Sequence, residues 1–121
     1  MALQHISVVP VYVSDQAKAV DFYVNKLGFE KTTDLPYGES RWIQVTPPEG
    51  QTTITISPAA EYGVEPGKFT GFVFYSDDVK GTVADLKSKG VNVTEDANEQ
   101  PWGVQAQFQD PDGNSFVIVG K

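Results

Sequence analysis

The stretch "SDQAKAVDFYVNKLGFE", residues 14–30, reads as a helix with both of its ends marked. Ser14 can cap the start, because a side-chain oxygen there accepts an orphan amide hydrogen of the first turn. Val20, Tyr23, Val24 and Leu27 recur at helical spacing and form one apolar face. Gly28 fits the left-handed position just past the helix, with Lys26 well placed against the dipole in the last turn. Upstream lies an alternating apolar run, "SVVPVYV" (7–13), which reads as a strand.

The same grammar returns later in the chain. At an offset of 62, Ser14-Asp15 falls on Ser76-Asp77, Lys18 on Lys80, Val24 on Leu86, Gly28 on Gly90 and Phe29 on Val91. The second copy opens on "TGFVFY" (70–75), with Ser76 as the expected cap and Val79, Val83 and Leu86 as the apolar face. Lys87 and Lys89 lie in its last turn. The acids Asp15, Asp77 and Asp78 are expected to start helices rather than to bind ligand. Short strands should follow each helix: 29–33, 40–46 and 51–57 in the first half, then 91–94, 103–109 and 115–119 in the second. "PPEG" (47–50) and "DPDG" (110–113) join the last two strands of each half. Pro-Asp-Gly supplies a preset φ, a local side-chain hydrogen bond and a residue tolerant of positive φ, so a hairpin is the natural reading. The expected fold class is therefore α+β. Residues 1–59 and 69–121 form two βαβββ modules of one domain, joined by a linker over 60–68.

Composition narrows the function classes. Nine Lys and Arg against sixteen Asp and Glu give a net charge of −7. That argues against a nucleic-acid partner, whose affinity rests on cationic neutralisation of phosphates. It is compatible with a cationic small ligand, although solubility alone explains such a balance. There is no cysteine, hence no disulfide framework and no thiol nucleophile, and a single histidine, His5. No apolar run approaches the roughly 20 residues of a membrane span. The start "MALQHISVVPVYV" lacks the basic region and cleavage site of a signal peptide. A cytoplasmic protein is expected.

The segments 14–30, 77–91 ("DDVKGTVADLKSKGV") and 110–119 ("DPDGNSFVIV") together resemble the vicinal oxygen chelate superfamily, the glyoxalase, bleomycin-resistance and extradiol-dioxygenase group. "RWIQVTPPEG" (41–50) is similar to its small bacterial bleomycin-resistance-like members. The resemblance implies two modules curling into a cup with helices outside and ligand within, and commonly a homodimer. It also implies that catalytic members carry His, Gln or Glu metal ligands at four equivalent strand positions. In this chain those positions hold Val8, seven residues before Asp15; Gly71, or Thr70 under the strict offset; Val117, three past Asn114; and a residue of 51–57, where no acid occurs. Hard cations want oxygens, and zinc wants imidazole, thiolate or carboxylate, none of which an apolar side chain supplies. No metal, no cofactor and no catalytic residue is expected. His5 precedes Val8 by three residues and would point to the opposite face if the strand extended so far.

Strand alternation sketches what faces the cup instead. Ile43/Val45, Ile54/Ile56, Phe72/Phe74 and Val104/Ala106/Phe108 read as core, so their complements should line it. The candidate ligand-binding residues are Tyr12, Trp42, Gln44, Thr55, Tyr75, Gln105 and Gln107, with Trp102 in a loop at the rim. Such a lining is aromatic and amide- or hydroxyl-bearing, with no acid or base poised near neutrality, and no Ser-His-Asp arrangement is available. Aromatic faces with a few polar groups suit a small-molecule site. The leading reading is a non-catalytic binding protein of the bleomycin-resistance type that sequesters a planar or aromatic ligand, with charge that would favour a cation. Partners are then a small molecule and a second copy of the chain, with neither nucleic acid nor membrane. Two alternatives stay open: a metal-dependent lyase, isomerase or dioxygenase with displaced ligands such as His5, Gln44 or Glu39, and a subunit or regulatory module with no small ligand.

Overall fold

A computed structural model describes residues 2–121. They form two compact units, one running to Pro66 and the other over Gly67–Lys121. The first contains β1 (Val8–Val13), α1 (Gln16–Asp21) continuing into a π turn (Phe22–Lys26), β2 (Glu30–Tyr37), β3 (Ser40–Thr46), β4 (Thr53–Pro58) and a 3₁₀ turn (Ala59–Tyr62). The second contains β5 (Phe69–Ser76), α2 (Val79–Ser88), β6 (Asn92–Gln100), β7 (Gly103–Gln109) and β8 (Ser115–Gly120). Sheet order is β1-β4-β3-β2 in one and β5-β8-β7-β6 in the other. In each, the first strand lies parallel to the last and the remaining neighbours are antiparallel. Each unit is thus βαβββ on a mixed four-stranded sheet, the expected α+β fold.

Alternation sorts the side chains. In the first unit Val11, Val13, Ile43, Val45, Ile54 and Ile56 are buried, together with Ala19, Phe22 and Tyr23 from the helix that packs on β4. In the second, Ala106, Phe108, Phe116 and Ile118 are buried with Val79, Val83 and Leu86 of α2. Phe108 and Phe116 stack at 5.3 Å between ring centres. Burying each such side chain contributes about 1.5–3 kcal/mol, so each inner face stabilises its own unit.

The helix starts differ from expectation. The cap of α1 is Asp15, which accepts from Lys18 N–H at 3.1 Å, and that of α2 is Asp78, which accepts from Gly81 N–H at 3.0 Å. Ser14 and Ser76 lie one and two residues too early. Ser76 Oγ instead accepts from Asp78 N–H at 3.1 Å and bonds Thr82 Oγ1 at 2.8 Å, which shapes the approach to the helix. A carboxylate also matches the positive end of the helix dipole, which a hydroxyl does only weakly. Gly28 and Gly90 close the two helices at φ +77° and +78°.

The closing glycine lies thirteen residues after the cap in the first helix and twelve after it in the second. The extra residue is taken up in the π turn, where Leu27 N–H reaches Phe22 O, five residues back, at 3.1 Å. The internal offset is therefore 63 before the helices and 62 at their closing glycines and along β4 and β8, but 63 again along β3 and β7, where Gln44 matches Gln107. Tyr12 matches Tyr75, Val8 matches Gly71 rather than Thr70, and Thr55 matches Val117.

Two strands extend well beyond their expected limits. β2 reaches Tyr37 instead of residue 33, and β6 reaches Gln100 instead of residue 94. Both are edge strands of polar sequence, so neither shows the apolar alternation by which a strand is recognised. The β7–β8 turn is built as expected around Pro111-Asp112-Gly113, and Asp110 Oδ1 accepts from the backbone of Asp112 and of Asn114, each at 2.9 Å.

Candidate functional site

Side chains on the sheet faces opposite the buried core are the ones available to a ligand. In the second unit they form cross-strand rows. Val73, Val117, Gln107 and Glu95 make one; Tyr75, Val119, Gln105 and Asn98 make the next. Glu95 stands at the centre of a hydrogen-bond network on this face. Its Oε1 accepts from Gln107 Nε2 at 3.0 Å, and its Oε2 from Gln105 Nε2 at 3.1 Å and Asn98 Nδ2 at 2.8 Å. Asn98 Oδ1 in turn accepts from Gln100 Nε2. Trp102, in the turn between β6 and β7, donates its indole N–H to Gln105 Oε1 at 3.1 Å, while its ring stays 64% exposed.

Alternation missed Glu95 because β6 is not regular. Val93 pairs with Phe108 of the core face, and plain alternation would send Glu95 to that side too. The register instead slips between Val93 and Glu95 and again between Glu95 and Asn98. The first bulge turns Glu95 to the side of Gln107, and the second restores the original alternation so that Asn98 lies on that side as well, beside Gln105. The face was expected to carry no acid; it carries one carboxylate.

Of the expected residues in this unit, Trp102, Gln105 and Gln107 come together in the network. Tyr75 does not join it: Val119 separates it from Gln105, and its ring is 68% exposed. In the first unit Gln44 lies directly across from Thr55, which also faces Pro10, with Thr33 on the far side of Gln44. Thr55 is buried, 4% exposed, and accepts from Ser57 Oγ at 3.4 Å. Tyr12 pairs with Ser57 and meets Tyr62 edge to face at 5.7 Å. Trp42 lies across from Leu35 and edge to face with Tyr37 at 6.2 Å. Leu35, Tyr37 and Tyr62 are exposed aromatic or aliphatic neighbours that alternation had not singled out.

The metal positions implied by the resemblance do not fit a metal. Val8 and Val117 offer only methyl groups, and Thr55, the counterpart of Val117, offers one hydroxyl. Gly71 has φ +77°, a left-handed conformation that an L side chain adopts only under strain. Of the displaced candidates, His5 precedes β1, Glu39 lies in the β2–β3 turn and Gln44 in β3. Among the described residues no three His, Cys, Asp or Glu are grouped so as to hold a metal ion.

Two carboxyls titrate below their ordinary value, and both lie away from these faces. Asp34 is lowered first by its hydrogen bond from Arg41 and then by that from Lys31. Asp96 is lowered first by Lys87 and then by the backbone N–H of Ala97. No helix among the described residues is long and apolar enough to cross a membrane.

Comparison with known proteins agrees with this architecture. Residues 2–118 match the model of the Glyoxalase/Bleomycin resistance protein/Dioxygenase superfamily. The uncharacterized protein YetH of Bacillus subtilis (strain 168) is 36% identical over 117 residues, covering 96% of this chain and 98% of its own. The crystal structure of a superfamily member from Sphaerobacter thermophilus DSM 20745 superposes with a TM-score of 0.91 at 36% identity, over 98% of both chains. TnmS3, an antibiotic binding protein from Streptomyces sp. CB03234, superposes with a TM-score of 0.89 at 38% identity, over 99% of this chain and 98% of its own. With two βαβββ units and a family match over nearly its whole length, the chain belongs to the Glyoxalase/Bleomycin resistance protein/Dioxygenase superfamily.

Proposed function

We propose that the chain is a non-catalytic, cytoplasmic binding protein of the bleomycin-resistance type, a homodimer that sequesters a planar or aromatic small molecule. The observation that carries this reading is an exposed indole, Trp102, hydrogen-bonded to the amide of Gln105, with the amide of Gln107 on the same strand face. Aromatic surface with a few oriented polar groups is what holds a flat ligand, and sequestration needs no reacting group. Val8, Gly71 and Val117 at the positions where catalytic relatives would hold metal point the same way. The description of TnmS3 as an antibiotic binding protein, at 38% identity, supports the ligand class.

Titration of the purified protein with bleomycin and a panel of planar aromatic antibiotics, followed by tryptophan fluorescence, tests the proposal. Saturable quenching by at least one compound is expected. No response across the panel, with both tryptophans still open to acrylamide, would overturn it. So would stoichiometric, tightly held iron, nickel, zinc or manganese in elemental analysis.

A further inference from the structure

The Glu95 network decides which ends of its amides face the carboxylate. An ionised carboxylate only accepts hydrogen bonds, so the NH₂ ends of Gln105, Gln107 and Asn98 must turn towards it. The Oε1 end of each glutamine is then the end not spent on Glu95. Gln105 Oε1 takes the indole N–H of Trp102, which spends the one donor that ring possesses. The face is left with a full negative charge, amide carbonyl oxygens, the second N–H of each glutamine amide and an aromatic ring whose own N–H is occupied. The charge, the carbonyl oxygens and the ring favour a ligand bringing positive charge and N–H donors, and the glutamine N–H groups are the only donors among these parts. A cation over an indole face gains from the ring quadrupole, and the net charge of −7 adds a long-range attraction of the same sign. The first bulge in β6 is needed to bring Glu95 onto this side. Plain alternation from Val93 would have put Asp96 there in place of Glu95.

We propose that the β6–β7 network is a charge-selecting subsite and that Glu95 is its specificity-determining residue, favouring planar aromatic cations rich in N–H groups over planar anions. This rests on the binding reading above and names the charge class of the ligand.

The test compares 9-aminoacridine, a planar cation at neutral pH, with anthracene-9-carboxylate, a planar anion of similar size, by isothermal titration calorimetry. The unaltered protein should bind the cation at least about tenfold more tightly, which is 1.4 kcal/mol, and the preference should shrink as salt is raised. Glu95→Gln should abolish most of that preference by weakening the cation alone. The salt series on the unaltered protein reads the same charge effect without relying on the variant to fold. Binding of both dyes with equal affinity, or an unchanged preference in a folded Glu95→Gln protein, would overturn the charge selection while leaving the binding reading intact. Binding of neither dye would overturn the subsite; the antibiotic panel then decides the binding reading separately.

Discussion

Asn114 Nδ2 donates to Asp110 Oδ2 at 2.9 Å, and both side chains are buried at the two ends of the β7–β8 turn. The same asparagine accepts from the backbone of Gly67 at 2.9 Å and of Lys68 at 3.3 Å, so it also ties the turn to the segment entering β5. Replacing it by alanine removes one partner from the buried Asp110 carboxylate and the acceptor of two partly buried backbone N–H groups. Asn114→Ala should therefore cost about 2–3 kcal/mol, read as a fall in the urea midpoint with unchanged slope. A loss below about 0.5 kcal/mol, the level of ordinary surface changes, would mean that the turn holds without it.

The helix caps make a second prediction. Asp15→Ala and Asp78→Ala should each lower stability by about 1 kcal/mol, while the corresponding asparagine variants retain most of it. Chemical denaturation of the four variants reads this directly. Equal losses for alanine and asparagine would point to the charge rather than to the acceptor.

Gly71 is expected to be intolerant for a backbone reason alone. A Cβ added there would meet nothing within 4 Å, yet φ is +77°. Gly71→Ala should cost about 1–2 kcal/mol, with no accompanying change in the near-ultraviolet circular dichroism of the aromatic core. A neutral or stabilising effect would contradict the left-handed assignment.

The Asp34–Arg41 pair sets a pH response. Because Arg41 holds the folded Asp34 below its unfolded value, the pair stabilises above the ordinary carboxylate range, and the contribution is lost as pH falls through the folded value. The groups lie near solvent, so the effect is modest and screened by salt. Arg41→Ala should raise the Asp34 midpoint towards its ordinary value, measured by NMR titration of the carboxyl carbon. An unshifted midpoint would show that the ion pair does not form in solution.

The parts legible in the sequence are those whose physics is local. Capped amphipathic helices, left-handed glycines and the Pro-Asp-Gly turn all announce themselves within a few residues, and the repeat doubles each signal. β3 and β7 were readable because apolar and polar residues alternate along them, and β8 because a continuous apolar run follows the turn. β2 and the far half of β6 were not, since an edge strand with a polar outer row has no periodicity to detect. Glu95 was hidden for a sharper reason. Its side is fixed by bulges against β7, a property of pairing between strands and not of either strand alone. Thr55 shows the limit from the other direction, because alternation gives the face a residue points to but not whether it is covered.

The π turn in the first helix separates length from orientation. Had its extra residue fallen within a strand, every side chain beyond it would have changed face, exchanging Tyr12 for its buried neighbours. A helix can bulge by one residue and resume its course, so the insertion stops at Leu27 and nothing downstream is displaced. The practical corollary is a rule for building hybrids of the two halves. Residues of β1 must be transplanted onto β5 by counting from the aspartate caps, those of β4 onto β8 by counting from Gly28 and Gly90, and those of β3 onto β7 by one residue more, so that Gln44 meets Gln107. A graft numbered on one constant spacing would turn a ligand-facing row inward.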